Sequence, residues 1–127
     1  MHSYRDSRGQ QPAFQVRYRF LSPDEGGRSQ APRQHIRWDF LYAGDDVQGE
    51  GLSMIWPEFL APDGSVLPDG EVPSAGVADM FLVNPDRAAY HRKRVAVGTR
   101  GYFMEGSKKV AECEVVRLGS LGTEDAV

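Results

Sequence analysis

An all-β barrel or sandwich is the fold class this sequence predicts, on three observations. Short segments alternate apolar and polar residues with a period of two, the spacing of a half-buried strand. Clusters of Gly, Pro and Asp punctuate those segments at short intervals. Only one stretch, residues 86–94, has any helical character, and it is too short and too polar to read as more than a turn of helix or a loop. The chain has 127 residues, which allows one domain around a single modest core. Its 40% hydrophobic and 26% charged residues form an ordinary globular balance, which excludes disorder throughout.

The elements follow in order. Residues 1–12 are polar, contain Gly9 and Pro12, and read as a loose, dispensable leader. Phe14, Val16, Tyr18 and Phe20 alternate with Gln15, Arg17 and Arg19, a clean strand that Pro23-Asp24-Glu25-Gly26-Gly27 stops. The Gly26-Gly27 pair is expected to supply a positive φ at this turn, a structural role that needs no ligand. Ile36, Trp38, Phe40 and Tyr42 alternate again until Gly44-Asp45-Asp46. Residues 51–59 are apolar but contain Pro57, which suits an edge or a bulge better than a central strand. Two Pro-Asp-Gly turns follow, at 62–64 and 68–70. Residues 77–83 are nearly continuously apolar, as in a strand buried on both faces. Residues 101–105 and 110–118 complete the set, with Ala111, Cys113 and Val115 opposite Glu112 and Glu114. The barrel is expected over 13–119 and a flexible tail over 120–127.

Charge is spread unevenly. Residues 1–37 hold seven Arg and three acids, residues 38–86 hold ten acids and no Lys or Arg, and residues 87–127 hold eight basic and five acidic residues. The segments are therefore +4, −10 and +3, summing to −3. Such asymmetry speaks to partners rather than to fold; the alternative is that the segments interleave and neutralise one another. The longest apolar runs fall far short of the roughly 18 residues of a spanning helix, and the N-terminus has no signal-peptide core. Cys113 is the sole cysteine, so no internal disulfide forms and the expected compartment is the cytoplasm.

Catalytic motifs are scarce. Gly101 to Lys108 is superficially like a phosphate loop, but Ser107 precedes Lys108 where such a loop has Lys before Ser or Thr, and the intervening residues are strand-like. His2, His35 and His91 are scattered, and one cysteine cannot complete a tetrahedral zinc set. Cys113 reads as a small core residue. Asp45-Asp46 and Asp24-Glu25 sit beside glycine and read as turn chemistry. His91-Arg92-Lys93-Arg94 is a candidate anion contact, with Arg92, Lys93 and Arg94 as its cations and a solvated basic loop as the alternative.

Read together, turns and strands resemble one family. The segment from Phe14 through Leu21-Ser22-Pro23-Asp24-Glu25-Gly26-Gly27-Arg28 resembles the opening of the C-terminal β-barrel domain of elongation factor Tu, and Asp24-Glu25-Gly26-Gly27-Arg28 is its most specific piece. Residues 37–49 resemble the next strand, ending Asp46-Val47-Gln48-Gly49 where the family has Asp-Val-Thr-Gly. Leu82-Val83-Asn84-Pro85 is similar to the family's Leu-Ile-Lys-Pro, and residues 101–118 resemble its closing hairpin. The four blocks stand in order over residues 14–118, with extra residues around 57–75 and 86–96. The resemblance implies a six-stranded, antiparallel, closed barrel of Greek-key type. It does not imply GTP hydrolysis, which in the family belongs to a separate P-loop domain.

In the family this barrel docks on neighbouring domains, on an exchange factor and on the T-stem backbone of aminoacyl-tRNA. The resemblance carries the RNA- or partner-facing role to Arg28, Asp39, Gln48, Asn84, Met104, Glu105 and Gly106. Arg28, Glu105 and Gly106 match the family. Asp39 stands for a Gln, Gln48 for a Thr, Asn84 for a Lys and Met104 for an Arg. Three of these changes remove positive or add negative charge; at roughly 1 kcal/mol or more per lost charged contact, they weaken RNA binding by a few powers of ten. The expectation is a non-catalytic barrel that binds a protein partner, translation-related or of the inhibitor and immunity type. It uses no cofactor, metal or nucleotide and no membrane. A weak tRNA- or RNA-binding accessory barrel is the alternative, and an enzyme with a hidden pocket a third class. Trp38 and Trp56 are the large aromatics able to anchor a contact, with core packing as the alternative for each.

Overall fold

The computed structural model describes residues 12–29, 31–34, 38–44, 53–82, 88–106 and 108–123. Six strands form the framework: β1 (Phe14–Phe20), β2 (Trp38–Tyr42), β3 (Ser53–Leu60), β4 (Ala75–Leu82), β5 (Arg100–Glu105) and β6 (Lys108–Leu118). Two short helices accompany them, α1 (Ala88–Arg94) and α2 (Ser120–Thr123). The strands close into a barrel in the order β1-β4-β3-β2-β5-β6, and every pairing is antiparallel. Closure gives every strand a partner on each side, although β3 loses β2 beyond Ile55.

Alternation sets the two faces. Phe14, Val16, Tyr18 and Phe20 are buried while Arg17 and Arg19 are exposed. Phe20, Phe59, Phe103 and Trp38 form an aromatic cluster, with Trp38 and Phe103 stacked at 6.1 Å between centroids. Gly101 is needed where Phe40 enters: a Cβ there would lie 2.4 Å from the Phe40 ring. From Ala78 to Leu82 both faces of β4 are buried, as the continuous apolar run predicts. Pro57 does sit within a barrel strand, yet the ladder of β3 with β2 ends at Ile55, so Pro57 is paired only with Met80 of β4. Its missing N–H is tolerated because one flank is open there.

Gln34 closes the side of the barrel. Its Nε2 donates to the carbonyls of Phe59 (3.0 Å) and Leu67 (2.9 Å), and its Oε1 accepts from the Phe59 N–H at 2.8 Å. A buried primary amide thus adds to the backbone bond from Leu67 N–H to the Phe59 carbonyl (3.0 Å) and gives the Phe59 N–H its acceptor.

The packed unit reaches past the expected bounds at both ends. The Pro12 carbonyl accepts from Ser120 N–H and the Ala13 carbonyl from Gly119 N–H, each at 2.9 Å. Leu121 is buried in the core, so the start of the expected tail is part of the fold. Residues 1–11 and 124–127 lie outside the described residues. Arginines on β1 meet glutamates on β6: Arg17 with Glu114 at 3.8 Å and Arg19 with Glu112. The two basic flanks thereby supply one another with counter-charges.

Candidate functional site

The turn after β1 delivers the first site residue. Ser22 caps the 3-10 turn Pro23–Glu25: its hydroxyl accepts from Glu25 N–H at 3.3 Å, and the Glu25 carboxylate accepts from Ser22 N–H at 2.9 Å. This reciprocal pair is a capping box. The Arg19 guanidinium also binds Glu25 at 3.1 Å, and the two donors hold the exposed Glu25 carboxyl down at about 2. Gly26 then adopts φ 89°, the left-handed conformation the sequence predicts for this turn. Gly27 has no positive φ, but a Cβ on it would lie 2.1 Å from the Leu21 carbonyl oxygen. One glycine serves conformation and the other close approach, and together they aim Arg28 across the mouth of the barrel.

Arg28 lands between two other elements. Its guanidinium lies 5.0 Å over the Trp38 ring, and its Nε is 3.1 Å from Glu105 Oε2. The side chain is only 17% exposed, and its buried Nη1 has no hydrogen-bond partner among the described residues. Glu105 and Gly106 begin the β5–β6 turn; Gly106 has φ 62° and open space where a side chain would be. Asp39 follows Trp38 on β2, half-buried, and is directly opposite Met104 of β5. The barrel therefore gathers Arg28, Glu105 and Gly106 at one end, with Asp39 on the neighbouring strand opposite Met104. Met104 needs correction as a contact: at 2% exposure it has no side chain to present. Gln48 and Asn84 lie outside the described residues. A groove of about 660 Å³ runs from Arg28 along Pro23, Pro32, Val72 and Ser74.

The candidate anion contact lies at the opposite end. α1 ends in His91, Arg92, Lys93 and Arg94. Cations suit a helix C-terminus, where unpaired carbonyls gather negative charge, so the run has a local structural reason. Lys93 and Arg94 are exposed, and Arg94 lies 5.3 Å over Tyr42. His91 instead turns inward: it is fully buried, with Nδ1 2.6 Å from the Tyr42 hydroxyl and its ring against Phe14 and Tyr90. It plugs the barrel. Nothing in the sequence separates it from the basic run except its place one turn before the apolar Val95.

Cys113 is buried in the barrel wall, and burial pushes its thiol above the ordinary range, which suits a packing role. Trp38 belongs to the core, whereas Trp56 is half-buried opposite Phe81. The phosphate-loop-like segment is strand β5 and its turn. Among the described residues, no group of three His, Cys, Asp or Glu is placed to hold a metal ion. No helix among them is long and apolar enough to cross a membrane. No family model matches the chain, and no curated protein matches it.

Proposed function

We propose that the protein is a non-catalytic binding barrel, similar in construction to the C-terminal domain of elongation factor Tu, whose Arg28 end docks a protein rather than a nucleic acid. The observation that carries this reading is that the Arg28 guanidinium already has a carboxylate partner: Glu105 Oε2 lies 3.1 Å from its Nε. Phosphate-backbone recognition rests on cations that release counterions, and a paired arginine has a carboxylate to displace first. A buried Arg28 Nη1 without an acceptor among the described residues suits a single directed bond to a carbonyl or carboxylate, held in register by the Trp38 ring beneath. The adjoining groove, with Pro23, Pro32 and Val72 in its wall, offers apolar area to a peptide segment. An RNA-binding accessory role draws support only from exposed Lys93 and Arg94, at the other end of the barrel.

A photo-reactive residue placed at Asp39, with a second version carrying it at Lys93, tests the reading in cells. The expected result is a discrete, nuclease-insensitive protein adduct from position 39. A nuclease-sensitive adduct, or adducts from position 93 alone, would overturn it.

A further inference from the structure

The groove beside Arg28 opens where β1 and β4 part. Their ladder ends with Arg19 opposite Ala75, and Phe20 N–H still donates to the Ser74 carbonyl at 2.7 Å. Beyond it Leu21 stays with β6, donating to the Val110 carbonyl at 2.9 Å, while Val72 N–H turns to the Pro32 carbonyl at 3.0 Å. The split has buried Pro32 and Val72 and exposed Pro23, Ala31 and Ala75 in its wall. Its charge is already balanced. Arg19, Glu25 and Arg28 are the charged residues that line it. Arg19 binds Glu25 at 3.1 Å and also pairs with Glu112, and Arg28 Nε is 3.1 Å from Glu105. A charged occupant would give up hydration and find no free counter-charge among the lining residues. What stays open is Arg28 Nη1, buried and without a hydrogen-bond partner among the described residues. A main-chain carbonyl fills it without adding charge to a neutral pair, whereas a second carboxylate would leave the half-enclosed pair with net negative charge.

We infer that the groove takes an extended, uncharged segment of a partner protein, with apolar side chains toward Pro32 and Val72 and one main-chain carbonyl on Arg28 Nη1. The inference rests on the protein-docking role proposed for the Arg28 end and names the kind of segment docked there. Extended chain suits a split between two strand ends. Its carbonyls are not used up in bonds of its own, and its side chains alternate between the groove and the solvent. The Trp38 ring, 5.0 Å from the guanidinium, limits where that carbonyl can sit. Nη1 is covered in the free protein, so the Arg28 side chain resettles as the carbonyl arrives, a rotamer-scale change common at interfaces.

A displayed library of short random peptides, selected on the full chain, tests it. The expected winners carry no net charge, are rich in apolar residues and require no Asp or Glu. Their affinity should change by less than about twofold between about 0.05 and about 0.5 M salt, since no ion pair is gained. Arg28→Lys keeps the charge but not Nη1 and should weaken them about tenfold, the loss of one bond to a charged donor. Ala31→Arg, at an exposed place in the wall, should abolish binding while leaving the thermal midpoint unchanged. A required acidic residue or steep salt dependence would overturn the uncharged segment and leave protein docking at the Arg28 end standing. Winners indifferent to both substitutions, or no winners at all, would overturn it too, and the adduct from position 39 then judges the docking role by itself.

Discussion

Each end of the barrel sets an arginine over an aromatic ring of β2. Arg28 lies 5.0 Å from Trp38 at the start of that strand, and Arg94 lies 5.3 Å from Tyr42 at its finish. Beneath Tyr42 the core is sealed by a helix that inserts fully buried His91. Beneath Trp38 it is sealed by stacked aromatic rings, and the arginine above is fixed by Glu105 and by a turn that tolerates only glycine. One end closes by inserting a side chain and leaves its arginine exposed. The other closes by packing and fixes its arginine in a half-enclosed position. A fixed, oriented cation is the better recognition element, since less side-chain freedom remains to be lost when a partner binds.

The widest gap between the ends should appear in stability. His91→Ala removes the plug against Phe14 and Tyr42 and is expected to cost about 3 kcal/mol in urea unfolding. At the other end, Gly27→Ala forces a Cβ against the Leu21 carbonyl and should cost about 2 kcal/mol. Gly26→Ala, strained in φ but meeting nothing, should cost only about 1 kcal/mol. The reverse order for the two glycines would mean that close approach does not shape the Arg28 turn. Smaller still, Arg28→Ala is expected to cost about 1 kcal/mol and Arg94→Ala about 0.3 kcal/mol, because Arg28 is largely enclosed between Trp38 and Glu105 whereas Arg94 is exposed. Equal losses would erase the distinction between the two arginines.

A pH titration sharpens the packing account. The Tyr18 hydroxyl donates to the Pro73 carbonyl at 3.0 Å, and burial pushes its ionisation up from 10.0 to about 12. The folded state keeps the phenol neutral where the unfolded state has lost its proton. Its contribution is therefore complete below pH 10 and lost as pH rises toward 12. Tyr18→Phe should flatten that alkaline limb in denaturation midpoints measured across the range.

Much of the framework was legible in the residues. Period-two alternation marks β1 to its last residue, and a continuous apolar run marks the doubly buried half of β4. Gly26 was legible because turn chemistry is local. The resemblance pointed to Arg28 and Glu105, which the fold does pair. Met104 misled because its place in a motif does not encode burial. His91 and Gln34 were missed for a related reason: each is a polar residue buried by partners far away in sequence, Tyr42 for one and Phe59 with Leu67 for the other. Local pattern carries no signal for contacts that only barrel closure creates. Glu58 and Asp79 were hidden likewise, since alternation assigns them to solvent.

The central claim is that the Arg28 end is built for protein and not for phosphate. Its most direct test is a salt-titrated tRNA-binding measurement on the unmodified protein beside Glu105→Gln and Asp39→Gln together. The account predicts no submicromolar binding by the unmodified protein at physiological salt, and a salt-sensitive gain in the double variant as Arg28 loses its Glu105 partner and β2 its Asp39 carboxylate. Submicromolar, steeply salt-dependent binding by the unmodified protein would contradict it.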